Sequence, residues 1–255
     1  MRHLHHSVMQ SDKFSFLLAA GFLLTTLVYL GGWVRLRSPS NNIPVWRRVS
    51  GLLGLVSVWV AFASPIATMD HAMLTGHMIQ HLLLMTIAAP LMWLGAPLIA
   101  RGRRLPLALC WLAPTVTLIV WHVPVVYTLE MRSEMWHAVE ELSFLSTGLL
   151  FWWPVVQRWP GVPGWSMILY LFLATLPCDV LSGFLVFSER VAYPAYFSTS
   201  GATGLTVLAD QQCAGALMWT SVTVVYFVAA AILSTHSSSL QEGSLNDARF
   251  WKNVL

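Results

Sequence analysis

Apolar and polar positions fall in long blocks along this chain rather than alternating residue by residue. Seven apolar runs, near residues 14–34, 49–68, 74–99, 105–122, 137–157, 165–187 and 208–233, are separated by short polar connections. Each is close to the ~20 residues a helix needs to cross a bilayer core. An open sheet edge has no hydrogen-bond partners in lipid, so all seven runs read as helices. The pattern predicts an all-α, polytopic membrane protein, a seven-transmembrane helix bundle. No repeat, low-complexity tract or long linker divides it, so 1–255 reads as a single membrane domain. Its parts are an outer tail over 1–13, the bundle over 14–233 and a polar cytoplasmic tail over 234–255. The first run has full span length and lacks a small-residue cleavage site in the usual place, so no cleavable signal is expected.

Composition agrees. Hydrophobic residues make up 56% of the chain and charged residues 10%, against about 25% charged in soluble domains, and the mean hydropathy is +0.65. Thirteen tryptophans suit interfacial belts. A net charge of +3 with no basic cluster argues against a nucleic-acid partner. Cys110, Cys178 and Cys213 lie inside apolar runs without a CxxC, so no disulfide framework is expected.

Lys and Arg set the orientation. Arg35, Arg37, Arg47 and Arg48 lie between or beside the first two runs, Arg101, Arg103 and Arg104 between the third and fourth, and Arg158 between the fifth and sixth. With Arg249 and Lys252 of the tail, one side holds ten of fourteen cationic residues; Arg2, Lys13, Arg132 and Arg190 hold the other. The positive-inside rule then places the N-terminus outside and the C-terminus in the cytoplasm. In that topology eight of nine histidines, all but His236, sit at or near the outer face. In bacteria this is the face where copper is handled and thiols are oxidised.

The third run opens with the densest chemistry. His77 and His81 are four apart, so on a helix they stack on one face about a turn from each other. Imidazoles just inside an apolar helix are costly unless something uses them. His71, Met73 and Met78 lie beside them, and soft sulfur next to imidazole favours copper over magnesium or calcium. The competing reading is an interfacial histidine that hydrogen-bonds a neighbouring helix. His122 stands in WHVP, where Pro124 ends or kinks the fourth run and can turn the imidazole inward. His137 opens HAVEEL; Glu141 could orient it or serve as a ligand, whereas Glu140 and Glu134 read more simply as acids favoured by a helix N-terminus. Asp179, beside Cys178 in LPCDVLSG, is the most expensive charge in the chain and should have a partner. Asp210 could cap the start of the seventh run or join the polar site.

Four ordered stretches, HMIQHLLLMTIAAPLMWLGAPL, WHVP, HAVEELSFLSTGLLFWWP and DQQCAGALMW, together resemble the CtaG-type family of cytochrome c oxidase assembly factors, over about residues 50–235. The resemblance implies a role in the biogenesis of a haem–copper oxidase in the bacterial inner membrane, supplying or positioning copper. Its recurrent positions map to His77, His81, His122, His137 and Asp210. Many members carry a further His where this chain has Glu141, so a ligand set requiring that imidazole does not transfer.

The favoured expectation is a copper-binding assembly factor, not an enzyme. Its metal site would hold His77, His81, His122, His137 and Asp210, with His71, Met78, Glu141, Cys178 and Asp179 as further candidates. Its partners would be a periplasmic copper donor and oxidase subunits. The rivals are a metal-free assembly scaffold, a His-box membrane metalloenzyme (weakened by the single HxxxH and the lack of HExxH) and a b-type haem protein using His81 and His122.

Overall fold

The computed structural model describes residues 23, 26–27, 29–32, 44–64, 66, 69, 72–95, 105–157, 162–198 and 204–254, with side chains as far as 235. Among them are helices and loops and no strand. The elements are α1 (Val45–Ala63), α2 (Leu74–Gly95), α3 (Leu107–Trp121), α4 (Pro124–Glu130), α5 (Glu134–Gln157), α6 (Gly164–Phe187), a 3₁₀ turn (Pro194–Ser198) and α7 (Val207–Val254). All but α4 and the 3₁₀ turn, which lie between runs, fall on the second to seventh apolar runs. Of the first run only scattered positions are described, and these are helical.

Among the described residues four helices are long and apolar enough to cross a membrane: Val45–Ala63, Leu74–Gly95, Gly164–Phe187 and Val207–Thr235. The α3–α4 pair makes a fifth if its 80° bend lies within one span. The first run lies mostly outside the described residues, and two physical reasons set apart the fourth and fifth. The 15 residues of α3 rise only about 22 Å at 1.5 Å per residue, short of the ~30 Å core. The first turns of α5 carry Glu134, His137, Glu140 and Glu141, which dilute its apolar character.

Proline sets where helices begin. Pro44, Pro106 and Pro163 precede α1, α3 and α6 with extended backbone, and Pro124 opens α4. There the missing N–H costs nothing, because the first N–H groups of a helix have no intrahelical acceptor. Within α2 the segment Leu83–Ala88 widens into a π-helical turn. The Met85 carbonyl stands five residues before Pro90, which has no N–H to give; the Trp152 indole donates to it instead, at 2.9 Å. Trp93 returns a second bond, to the Leu149 carbonyl at 2.6 Å. The second halves of α2 and α5 are therefore pinned by two indoles, Trp152 buried and Trp93 half-buried.

Small residues let the helices approach. A Cβ on Gly95 would stand 2.3 Å from the Gly51 Cα and 2.6 Å from the Tyr29 hydroxyl. One on Gly215 of α7 would stand 2.8 Å from the Leu185 side chain of α6. Such contacts suit helices in lipid, where close van der Waals packing drives association. The main core is aromatic, built from Tyr127, Phe151, Trp152, Tyr170, Tyr193, Tyr196 and Tyr226; a second core joins Tyr29, Leu55, Val58 and Ala61 to Leu84, Ala88 and Met92. Large apolar side chains such as Phe172, Val180, Phe184 and Phe227 face outward. Helices apolar on their outer faces as well as their inner ones are what a bilayer selects.

Replacing Gly95 with Ala should therefore destabilise the α1–α2 contact by about 1–3 kcal/mol, the usual cost of overpacking. Thermal unfolding in mild detergent checks this. Gly183→Ala, whose added Cβ meets nothing within 4 Å, should not lower the midpoint, since Ala is the better helix former.

Candidate metal centre

One end of the bundle gathers the polar chemistry: the start of α2, the α3–α4 break, the start of α5 and the start of α7. His77 and His81 do stack on one face of α2, both buried, with their Nε2 atoms 2.8 Å apart. At that distance the two lone pairs must share a proton or another cation. The third group comes from α5: Glu140 Oε1 lies 3.2 Å from His81 Nε2 and 3.5 Å from His77 Nε2. Donor atoms of the three side chains all fall within 4.8 Å of one another. The Tyr127 ring stands edge-on to His77, and Phe144 stacks on His81 at 4.1 Å, so aromatic rings wall the group from lipid.

Around this trio runs a second layer. His137 Nδ1 is 2.6 Å from Glu130 Oε1, and its Nε2 is 3.4 Å from Glu141 Oε1. Glu141 Oε1 also accepts a hydrogen bond from the Gln80 amide, which donates in addition to the Ala61 carbonyl at 3.2 Å. Glu130, His137 and Glu140 form a further set of donors within 4.8 Å of one another. Glu130 arrives because Pro124 starts a new helix 80° off the axis of α3. The Tyr193 hydroxyl donates to the His122 carbonyl at that break, at 2.9 Å, and the phenols of Tyr127 and Tyr196 bond each other.

The remaining expected residues separate into two groups. His122 is buried, and its Nδ1 lies 2.8 Å from the Leu118 carbonyl. Since a carbonyl can only accept, Nδ1 carries the proton, and the Nε2 lone pair is left without a partner. His122 stands outside the His77–His81–Glu140 set and shares with His81 a cavity of about 50 Å³, lined also by Met78, Cys178, Met218 and Phe144. Cys178 Sγ contacts Ser182 Oγ at 3.8 Å, and half-buried Asp179 has one oxygen without a partner. Asp210 is engaged elsewhere. Its carboxylate accepts from the backbone N–H of Leu74 (2.6 Å) and Thr75 (3.1 Å) and from the Thr75 hydroxyl (2.6 Å). It therefore caps α2, a different helix from its own, and fixes the turn that carries His77. Beside it Gln211 accepts from Ala192 N–H at 2.7 Å and clamps the α6–α7 connection. His71 lies outside the described residues, as do His3, His5 and His6.

Sequence reasoning missed Glu130 and gave Glu140 the role of a first-turn acid. Glu140 is fully buried and faces α2. The signal available for it was a second carboxylate at i+3 from His137 in an apolar run. For Glu130 there was none, because only the bend between α3 and α4 brings it back.

A sequence model of the cytochrome c oxidase caa3 assembly factor family matches residues 27–238. The chain belongs to this family. Among curated proteins it is 27% identical, over 87% of its own length, to an uncharacterized protein of Mycobacterium leprae, of which the match covers 39%. Uncharacterized proteins of Mycobacterium bovis and Mycobacterium tuberculosis are each 25% identical over 86% of the chain and 38% of their own length. The chain thus spans about two fifths of the curated relatives it matches. No solved structure matches it. The family match spans every described element that builds the polar end of the bundle.

The cap gives this subsection its prediction. Removing the carboxylate with Asp210→Ala leaves buried donors at the start of α2 unsatisfied, a loss of about 1–3 kcal/mol; Asp210→Asn should lose less. Amide hydrogen exchange at residues 74–76 should accelerate strongly in the first variant and weakly in the second.

Proposed function

We propose that this assembly-factor-family chain binds copper at His77, His81 and Glu140 and supports its insertion into a haem–copper oxidase. The observation that carries the reading is the convergence of two imidazole nitrogens and a carboxylate oxygen within 4.8 Å, all buried, with the second oxygen of Glu140 making no hydrogen bond. A buried carboxylate left half-satisfied is costly, and a cation at this point removes the cost. Two imidazoles with one carboxylate suit copper better than magnesium or calcium. The mixed set also suits a cargo: it lacks the closed thiolate cage that would hold metal too tightly to pass on.

The topology proposed with it has seven spans, the N-terminus outside and the C-terminus in the cytoplasm of a bacterial inner membrane. It is supported by the distribution of Lys and Arg and puts the His–Glu end on the outer side. Copper would then arrive from a periplasmic donor and leave to an oxidase subunit. His122, with its free lone pair beside Met78, Cys178 and Met218, offers soft donors along the way. The role is carriage rather than catalysis.

The test is copper content of the protein purified in mild detergent, after Cu(I) is supplied under reductant and excess removed. Near-stoichiometric copper is expected. His77→Ala/His81→Ala should abolish it, and Glu140→Gln, which removes a ligand, should weaken binding by at least the ~10–100-fold that loss of a group merely orienting a ligand costs. Copper that survives the double histidine substitution moves the site elsewhere in the chain. A protein that takes up none acts instead as a metal-free scaffold for oxidase assembly.

A further inference from the structure

Three carboxylates, Glu130, Glu140 and Glu141, are buried together at the polar end of the bundle, each no more than 3% exposed. Among the described residues every ion pair they make is with a histidine, none with Lys or Arg. Imidazoles that stay neutral offer hydrogen bonds but no charge, so the acids as carboxylates need compensation in a low-dielectric setting, from protons on the imidazoles or from metal ions. A single divalent ion leaves one negative charge over. Two ions reverse the balance to one positive charge, which a bound hydroxide cancels.

The geometry supplies two places for them and one group between. Glu140 belongs to both donor sets, His77–His81–Glu140 and Glu130–His137–Glu140. Its Oε2 and the Oε2 of Glu130 are buried without hydrogen-bond partners. We propose that this is a two-ion centre: His77 and His81 hold one divalent first-row cation, Glu130 and His137 hold a second, and the Glu140 carboxylate bridges them. The inference rests on the copper reading above for its first ion; the second ion and the bridge are new.

The contact between His137 Nδ1 and Glu130 Oε1, 2.6 Å, is the closeness of a hydrogen bond, and in the loaded centre a cation takes the place of that proton. The other ring nitrogen, Nε2, faces Glu141, an arrangement in which a carboxylate fixes the tautomer and orientation of a ligating imidazole. Gln80, by donating to Glu141, holds that carboxylate in turn. Donor chemistry distinguishes the two positions. Two imidazoles and one carboxylate make the first the softer, whereas two carboxylates and one imidazole make the second the harder.

Cu(II) is a suitable probe because it reports both number and coupling. All samples would carry His3, His5 and His6 replaced by Ala, which removes a terminal cluster able to bind Cu(II) by itself. The full-length protein in detergent would be loaded with Cu(II), desalted, and measured for copper by elemental analysis and for unpaired spins by electron paramagnetic resonance. The proposal expects two coppers per chain with a spin count well below two, because ions bridged by one carboxylate couple. Glu130→Gln, which keeps the shape and hydrogen-bonding capacity of the side chain, and His137→Ala should each reduce the content to one copper with a full single spin. His77→Ala/His81→Ala should also leave one, because the harder second position takes Cu(II) but is not filled by the softer Cu(I) supplied under reductant. Melting curves of the metal-free variants separate loss of a site from loss of the fold, and the spin count of the unsubstituted centre depends on no such variant.

One copper that is indifferent to Glu130→Gln and His137→Ala but lost with His77 and His81 would overturn the second ion and leave the copper reading standing. Two coppers with two full spins would overturn the bridge. No copper at all would overturn both readings.

Discussion

The constraint on which the rest of this structure depends is the burial of carboxylates at the mouth of an apolar bundle. Glu140 stands on α5 in a setting where an uncompensated charge costs several kcal/mol, so α5 cannot rotate freely about its axis. It must turn Glu140 toward the imidazoles of α2, and that choice sets which residues meet further along. One turn on, Phe144 stacks against His81. Two turns on, Gly148 comes close enough that an added Cβ would sit 3.1 Å from the Met85 Cα. Beyond it the Trp152 indole reaches the carbonyl exposed by the π-helical turn of α2. Polar pairing at one end and indole bonds at the other define the same rotation of the same two helices, and agreement of that kind favours a single packed state.

A second requirement is that the first turn of α2 hold still, since it delivers His77 and His81. Its leading N–H groups have no intrahelical acceptors, and Asp210 supplies them from α7. This couples the position of the α2 histidines to the packing of α7 on α6, where Gly215 permits close contact with Leu185 and Gln211 ties down the connection. The polar end is thus held by elements far apart in sequence: Asp210 lies 136 residues beyond Leu74. In a membrane setting such long-range polar bonds take over part of the ordering that hydrophobic burial supplies in water.

Those relations explain what the sequence could and could not reveal. Helical character followed from long apolar runs, and the facing of His77 and His81 from their spacing of four, because both depend on local geometry alone. The inward direction of Glu141 and its pairing with His137 were also legible, as carboxylate and imidazole on one stretch of helix. The role of Asp210 was half legible. A cap was one of two readings, but the helix it caps is not its own, and no local rule names a partner so distant. Glu140 was misjudged because a carboxylate in a first turn has an ordinary explanation in the helix dipole, which burial then overrides. Glu130 was invisible, since its approach depends on the size of the bend at Pro124, and proline announces a break without giving its direction. The span count met a similar obstacle: an apolar run shows composition, but a bent pair such as α3–α4 can divide one run's continuation between two directions.

The distribution of unsatisfied atoms separates support from chemistry. Asp210, Gln211, Trp93, Trp121 and Trp152 are polar groups placed among apolar neighbours, and each is hydrogen-bonded by a defined partner. They behave as structural polar groups should, because a buried donor or acceptor left alone costs more than its bond would return. Trp111 Nε1 and Asp179 Oδ1 also lack partners, but most such atoms are concentrated at the polar end: both oxygens of Glu140 apart from its imidazole contacts, Glu130 Oε2, His81 Nδ1, His122 Nε2 and Gln80 Oε1. Five residues gathered on neighbouring turns and left incomplete are a poor way to stabilise a helical bundle and a good way to receive something that completes them. Nearly every such atom is an oxygen or nitrogen able to offer a lone pair. What completes such a set is a group that accepts lone pairs, whether protons or metal ions, and the aromatic walls formed by Tyr127 and Phe144 make that demand sharper by excluding competing solvent.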